Sequence, residues 1–281
     1  MQSYIKTFDE LKDRVSSLAR PLKVVAVKPD DDATIAALER VRECQLAEII
    51  TINNTSPEQA ACEAVALVRQ GQADILMKGL IGTDQLLRAV LDKVNGLLPA
   101  GHVLTHLAAA EMPTYQKMLF FSDAAVIPYP THEQRIEQVR YAADICHKLG
   151  IEEPKMALVH CAEHGGKQFP FVDGYADIKQ MAKDGVFGHC VVDGPLDVKT
   201  ACNPEALHRK GIQSSLNGEA DVLLFPDIEA GNVFYKTLTL FNEQAKTAGM
   251  LCGTTAPVVV PSRGDDAEAK FNSILLALAS L

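Results

Sequence analysis

At 281 residues, 47% of them hydrophobic and 22% charged, the chain has the make-up of an ordinary globular protein, long enough for one large α/β domain or two smaller ones. Its 36 acids outweigh 27 Lys and Arg to leave a net charge of −9, which argues against nonspecific nucleic-acid binding, because that needs a basic surface. An anionic ligand must therefore be held by a local cluster of donors and not by the overall field. The opening MQSYIKTFDELKDRVSSLAR mixes both charges every few positions and has no apolar core, so neither a secretory leader nor a membrane span is expected, and the location expected is cytoplasmic. The 7 cysteines are scattered and never form a CxxC pair, which fits a reduced thiol set and not a disulfide framework.

Along the chain, apolar β-rich runs alternate with amphipathic stretches of helical length. LKVVAVKP (22–29) reads as a buried strand closed by proline, and DDATIAALERVREC follows with acids suited to a helix N-terminus. AEIITI (47–52) is the next strand; NNTSPEQAACEAVALVRQG behind it supplies a cap, an early proline and a closing glycine. ADILMKG (73–79) ends a third strand at a lysine and a glycine, with TDQLLRAVLDKV as its helix. KMLFFSDAAVI (117–127) precedes the helix THEQRIEQVRYAADICHKLG. MALVHC (156–161), GVFGHCVVDGP (185–195), ADVLLFP (220–226) and APVVVPS (256–262) each have a helical stretch behind them. In the last helix, DDAEAKFNSILLALASL, the residues Phe271, Ile274, Leu275 and Leu278 share one face.

Near-continuous apolar strands alternating with helices predict largely parallel sheets covered by helices on both faces. Ligands of such sheets sit at the carboxyl ends of the strands, so the polar residues just after each run are the informative ones. These are Lys78-Gly79 with Thr83, Ser122-Asp123, Asp193-Gly194-Pro195, Asp227 to Asn232, and Ser262-Arg263-Gly264 with Asp265. Ser-Arg-Gly opening a helix suits a phosphate, because an arginine fork and free N–H groups both face the anion. On local sequence alone the plainer reading is a solvated turn whose acids cap the final helix. PYPTHEQR (128–135), with its clustered prolines, is the candidate domain boundary.

Two other motifs need weighing. HCAEH (160–164) matches the H-x-x-E-H of inverted zinc peptidases, which needs both histidines on one helical face. Here it follows a strand directly and runs into Gly165-Gly166, so a continuous helix, and with it a metal site, is not expected. His102 and His106 lie in the extended-looking GHVLTHLA, too far apart to chelate one ion. Cys161, beside His160 and His164, has the neighbours of a lowered-pKa nucleophile, but a buried thiol ending a strand is the reading preferred.

From about Ala73 onward the sequence resembles the phosphate acetyltransferase and phosphate butyryltransferase family, and within it the butyryltransferase branch. The likeness lies in ADILMKGLIGTDQLLRAVL (73–91), SDAAV (122–126), LGIEEPKMAL (149–158), VVDGPL (191–196), KGIQSSLNGEADVLLFPDIEAGNVFYKTL (210–238) and APVVVPSRGDDAEAKFNSI (256–274). It implies acyl transfer between CoA and inorganic phosphate: acyl-CoA plus phosphate gives acyl phosphate plus CoA, with short butyryl-type acyl groups, or acetyl in the alternative. It also implies two α/β domains with largely parallel sheets and an interdomain cleft, an isopropylmalate-dehydrogenase-like architecture, in a homodimer. By that likeness residues 1–130 with 254–281 form the first domain and 131–253 the second, the PDIEAGN turn being a cleft wall facing Ser262 and Arg263. No metal or bound cofactor is implied; coenzyme A enters as substrate and product.

The residues it marks as catalytic are Arg263, Ser262 and Asp265, with Lys78, Thr83, Glu229, Asn232, Lys236 and Gly264 binding substrate. Three departures bear on the base and on the acyl group: Ala269 stands where the acetyltransferase branch has a carboxylate in the last helix, Lys199 stands in place of an aspartate after GPL, and IPYP replaces an asparagine after SDAAV. Readings of other classes are a family member that binds CoA or acyl phosphate without turnover, a metal-dependent decarboxylating dehydrogenase, and the zinc hydrolase of HCAEH. The dehydrogenase would need clustered aspartates and a nucleotide loop, and neither is evident.

Overall fold

The computed structural model describes residues 4–53, 56–162 and 166–281. It divides into an amino-terminal unit of residues 6–104 and 246–281 and a central unit of residues 105–245 together with Tyr4 and Ile5.

The amino-terminal unit starts with α1 (Phe8–Ser16), whose Thr7 cap accepts the Glu10 N–H and whose buried stripe is Phe8, Leu11 and Val15. The elements β1 (Lys23–Val27), α2 (Asp32–Glu43), β2 (Glu48–Ile52), α3 (Pro57–Arg69), β3 (Ile75–Lys78) and α4 (Thr83–Val90) follow in strict alternation. Local chemistry explains the starts: Asp31 caps α2, and Ser56 with Gln59 forms a capping box at α3, where Pro57 takes the first turn and gives up no needed donor.

In the central unit come β4 (Thr105–Met112), β5 (Tyr115–Ser122), α5 (His132–Lys148), β6 (Lys155–Val159), a short 3₁₀ turn (Pro170–Gly174), α6 (Tyr175–Lys183), β7 (Val191–Leu196), α7 (Val198–Cys202), α8 (Pro204–Arg209), β8 (Val222–Leu224) and α9 (Ile228–Phe241). The chain then returns to the amino-terminal unit as β9 (Lys246–Cys252), β10 (Val258–Val259) and α10 (Ala267–Ala279).

Strand order in the amino-terminal unit is β2-β1-β3-β10-β9, parallel except for β9 against β10. In the central unit it is β4-β5-β8-β6-β7, parallel except for the β4–β5 pair. Both antiparallel elements escape a reading tuned to βαβ units. β4 reads THLAAAEM, an alanine-rich stretch without strand propensity, and β9 reads KTAGMLC, with a glycine at its centre. Their pairing also moves the crossings. The chain leaves the first unit after Leu104 and re-enters at Lys246, where sequence reading placed them near 130 and 254. The PYP segment lies inside the central unit, as the lead-in to α5.

A second difference concerns α10, expected to bury one face. Every residue from Lys270 to Ala279 is buried, because β9 lies along one side of the helix while α2 and α1 cover others. A helix apolar all round belongs inside. Among the described residues no helix is long and apolar enough to cross a membrane.

Candidate active site

In the amino-terminal unit the parallel strands deliver their polar residues to one region. β3 ends at Lys78, which is 3% exposed although it carries an ammonium. Gly79 follows because nothing larger fits: a Cβ there would stand 2.2 Å from the Lys28 carbonyl oxygen, in the bend after β1. Among the described residues the acceptor that meets Lys78 Nζ is the Gly79 carbonyl at 3.3 Å, a long bond for a buried cation. Burial pushes its pKa down, and the positive charges of Arg263 and Lys270 push the same way, while Asp31 and Asp265 pull back.

Lys270, 4% exposed, contributes the second buried ammonium from the first turns of α10. Its Nζ donates to Asp31 Oδ1 at 2.6 Å and to Thr34 Oγ1 at 2.9 Å, so a residue of the last helix is tied to the start of α2. Burial works against the Asp31 carboxylate, but the Lys270 ammonium and the Thr34 donors outweigh it and hold Asp31 at about 2.

The third cation is Arg263, on the exposed turn between β10 and α10. Expectation and structure part company on that turn's chemistry. Helix α10 starts at Ala267 with Asp266 as its cap, so Ser-Arg-Gly precedes the helix and does not open it. The two aspartates divide the work: Asp266 accepts the Ala269 N–H, and Asp265 Oδ2 accepts the Ser262 N–H at 2.8 Å. The Gly264 N–H leans on Ser262 Oγ at 3.4 Å. Two of the N–H groups expected to be free are therefore committed inside the turn, whose contribution is the Arg263 fork and the Ser262 hydroxyl. Arg263, Asp265, Lys270 and Asp31 all lie close enough to Lys78 to act on its charge, the last two not singled out by the sequence. Thr83 is exposed as the first residue of α4.

In the central unit the run ADVLLFP is β8, and Asp227 caps α9 by accepting the Ala230 N–H at 2.8 Å. Glu229 accepts the Tyr129 hydroxyl at 3.3 Å, the Asn232 amide donates to the Ala124 carbonyl at 3.0 Å, and Lys236 is exposed, its ammonium 4.7 Å from the Tyr235 ring centroid. Much of the PDIEAGN motif is thereby scaffold. Gly231 is required because a Cβ would stand 2.2 Å from the Asp123 carbonyl oxygen. Arg135, 2% exposed, clasps the same turn by donating to the Phe225, Pro226 and Pro130 carbonyls, and no sequence signal marked it.

Asp193 and Asp197 behave alike. Asp193 pairs with Lys179 at 2.7 Å and accepts the Ser214 hydroxyl at 2.8 Å, beside a cavity of about 650 Å³ at the end of β7. Asp197 caps α7 and pairs with Lys210 at 2.7 Å, so the acid standing early after GPL serves as a helix cap.

Of HCAEH, residues 163 and 164 lie outside the described residues. His160 follows β6, is 2% exposed, packs edge-on against Phe169 and Phe171, and has its pKa lowered by burial. Cys161 is exposed and not buried as expected, with Sγ 3.9 Å from His160 Nδ1. His102 precedes β4, and His106 within it donates its N–H to Asp123. Among the described residues no cluster of His, Cys, Asp and Glu could hold a metal ion.

Comparison with known proteins identifies the family. A family model described as phosphate acetyl/butaryl transferase matches residues 10–278. A phosphate butyryltransferase of Clostridium acetobutylicum is 37% identical over 299 aligned residues, covering 97% of each chain. A phosphate acetyltransferase of Thermotoga maritima is 35% identical over 258 residues, 92% of this chain and 86% of that protein. The crystal structure of a branched-chain phosphotransacylase from Enterococcus faecalis V583 aligns with a TM-score of 0.82 at 30% identity, covering 92% of this chain and 98% of its own. With nearly the whole chain matched by the family model and by relatives on both sides of the acetyl–butyryl division, this chain belongs to the phosphate acetyl/butaryl transferase family.

Proposed function

We propose that the protein transfers a short acyl group between coenzyme A and inorganic phosphate, with butyryl and branched four-carbon groups preferred over acetyl. The observation that carries this reading is the seat formed by Lys78, Arg263 and Lys270: a buried amino group with a single long acceptor beside a guanidinium that no acceptor among the described residues holds. Such a cluster is short of negative charge, and a phosphate supplies it. Ser262 offers its hydroxyl at the rim, Gly264 leans its N–H on that hydroxyl, and Asp265 fixes the turn through the Ser262 N–H. Positioning two anionic partners and stabilising the oxyanion on the thioester carbon are the main tasks. In the central unit Glu229, Asn232 and Lys236 are assigned to substrate binding, and in the amino-terminal unit Thr83 is. Coenzyme A is a substrate and product here, and no metal or bound cofactor takes part. The butyryl preference rests on the similarity to the clostridial enzyme and on the branched-chain name of the enterococcal one.

Thiol release from acetyl-, butyryl- and isobutyryl-CoA tests the reading directly. Release should depend on added phosphate, survive a strong chelator, and run several-fold faster with the four-carbon groups. Release that ignores phosphate, or that is lost on chelation and restored by zinc, rejects it.

The working unit is proposed to be a homodimer. On α9 the apolar residues Val233, Leu240 and Phe241 are 64%, 70% and 80% exposed, and Gly231 is the helix's buried residue. Three large apolar side chains on one helix are an unusual exposure for a free surface. Light scattering should give twice the chain mass, and Phe241→Glu with Leu240→Glu should halve it; a monomeric parent would remove the proposal.

A further inference from the structure

Transfer of an acyl group to phosphate has a proton to place. With the phosphate dianion as nucleophile, its oxygen bonds to the carbonyl carbon, the C–S bond breaks, and the electron pair leaves on sulfur. The acyl phosphate departs as a dianion, so the proton that remained on the phosphate must reach the thiolate. Acyl-CoA plus HPO₄²⁻ then balances as acyl phosphate dianion plus CoA thiol. A group that first accepts and then donates that proton is required, and carboxylates are the ordinary choice.

The carboxylates near the phosphate seat are engaged. Asp31 receives the Lys270 ammonium at 2.6 Å, the Thr34 hydroxyl at 2.6 Å and the Thr34 N–H at 3.0 Å. Asp265 receives the Ser262 N–H and Asp266 the Ala269 N–H, each at 2.8 Å. One turn into α10 the side chain is the methyl group of Ala269. What remains is Lys78, 3% exposed, with a backbone carbonyl as its sole acceptor among the described residues and no carboxylate bonded to it.

We propose that, in the acyl transfer inferred above and resting on that reading, Lys78 is the proton carrier: its neutral amine takes the phosphate proton and the resulting ammonium delivers it to the departing CoA sulfur. The amine is regenerated in each turnover, so no further reactant is needed. Arg263, always charged, and Lys270, held by Asp31, keep the seat positive when Lys78 is neutral. The groups that face Lys78 come from each element packed there: Arg263 from the turn after β10, Lys270 from α10, Asp31 from the α2 cap and Asp265 from the turn before α10. Burial together with Arg263 and Lys270 favours the neutral amine, against the pull of the two aspartates.

The test is the pH dependence of kcat in the parent, Lys78→Arg and Lys78→Ala, with phosphate and butyryl-CoA varied in turn. A carrier that must be neutral is active above its pKa, so the parent's kcat should rise with pH through a limb below the ordinary lysine range. Lys78→Arg keeps the charge but cannot titrate; its kcat should fall by about a hundredfold or more and lose that limb, with the phosphate KM within a few-fold of the parent's. Small primary amines should restore part of the Lys78→Ala rate. Should Lys78→Ala not fold, the arginine variant and the parent profile suffice. A parent kcat that is flat in pH, a Lys78→Arg within three-fold of the parent, or a Lys78→Ala defect confined to phosphate KM would reduce Lys78 to a fixed charge and overturn the proposal. Absence of phosphate-dependent thiol release in the parent is a separate outcome: it rejects the acyltransferase reading, and the carrier with it.

Discussion

Arg263→Lys should lower phosphate-dependent turnover on the order of a hundredfold while leaving the net charge unchanged. The guanidinium stands on an exposed turn, and no hydrogen-bond acceptor among the described residues holds it, so its fork is available to a ligand. A phosphate is held by such a fork at two points, whereas a lysine ammonium meets it as a single point charge. One charge-assisted hydrogen bond represents about 2–3 kcal/mol, or roughly 30- to 150-fold in rate. Arg263→Ala should lose more, with phosphate saturation suffering more than CoA saturation. It carries a second signature. Arg263 helps depress the Lys78 pKa, so removing its charge should let that pKa rise and move the acidic limb of kcat to higher pH. Steady-state kinetics over a phosphate and pH grid reads both effects. An Arg263→Lys variant as active as the parent at low phosphate would make Arg263 a surface residue.

The strand ends were legible because a buried parallel strand announces itself: ILMK and VV are unbroken apolar runs, and the first polar residue after each marks the carboxyl edge. Lys78 and the turn from Ser262 to Asp265 were located by that rule with no knowledge of partners. What the rule cannot supply is the link between elements far apart in the chain. Lys270 and Asp31 are separated by 239 positions, and nothing local says that the DDD run after β1 will meet a lysine of the last helix. A faint signal existed: one lysine bordering the run FNSILLALA, where every neighbour proves buried, must find a partner inside. The aspartates of SRGDD could not be assigned by type alone. Asp265 and Asp266 are adjacent and identical, yet one closes the turn and the other caps the helix. Arg135 was invisible for a related reason, since its partners are backbone carbonyls, which carry no sequence signature.

Asp123→Ala should cost the central unit about 3–5 kcal/mol, at the upper end of what a single substitution does to a folded protein. The carboxylate is 2% exposed and collects five donors: the Thr105 hydroxyl at 2.8 Å and the His106 N–H at 3.1 Å from β4, and the N–H groups of Ala125, Val126 and Ile127 at 2.8, 2.9 and 3.3 Å. No cation stands among them, so the negative charge is balanced by backbone dipoles. Removing it leaves buried N–H groups without an acceptor, at about 1–3 kcal/mol each before water recovers a part. The damage would not stop at the loop. Residues 123–127 are the platform for the start of α9, with Gly231 against the Asp123 carbonyl and Asn232 bonded to the Ala124 carbonyl. Loosening the platform should therefore misplace Glu229 and Asn232 and raise the KM for CoA while the protein remains folded. Asp123→Asn retains one acceptor oxygen but turns an NH₂ toward N–H donors, and should fall between parent and alanine. Thermal melting checks the ordering, with about 10 °C lost for alanine at the 2–4 °C per kcal/mol typical of this size. An alanine variant melting within 2 °C of the parent would mean that water satisfies the five donors as well as the carboxylate does.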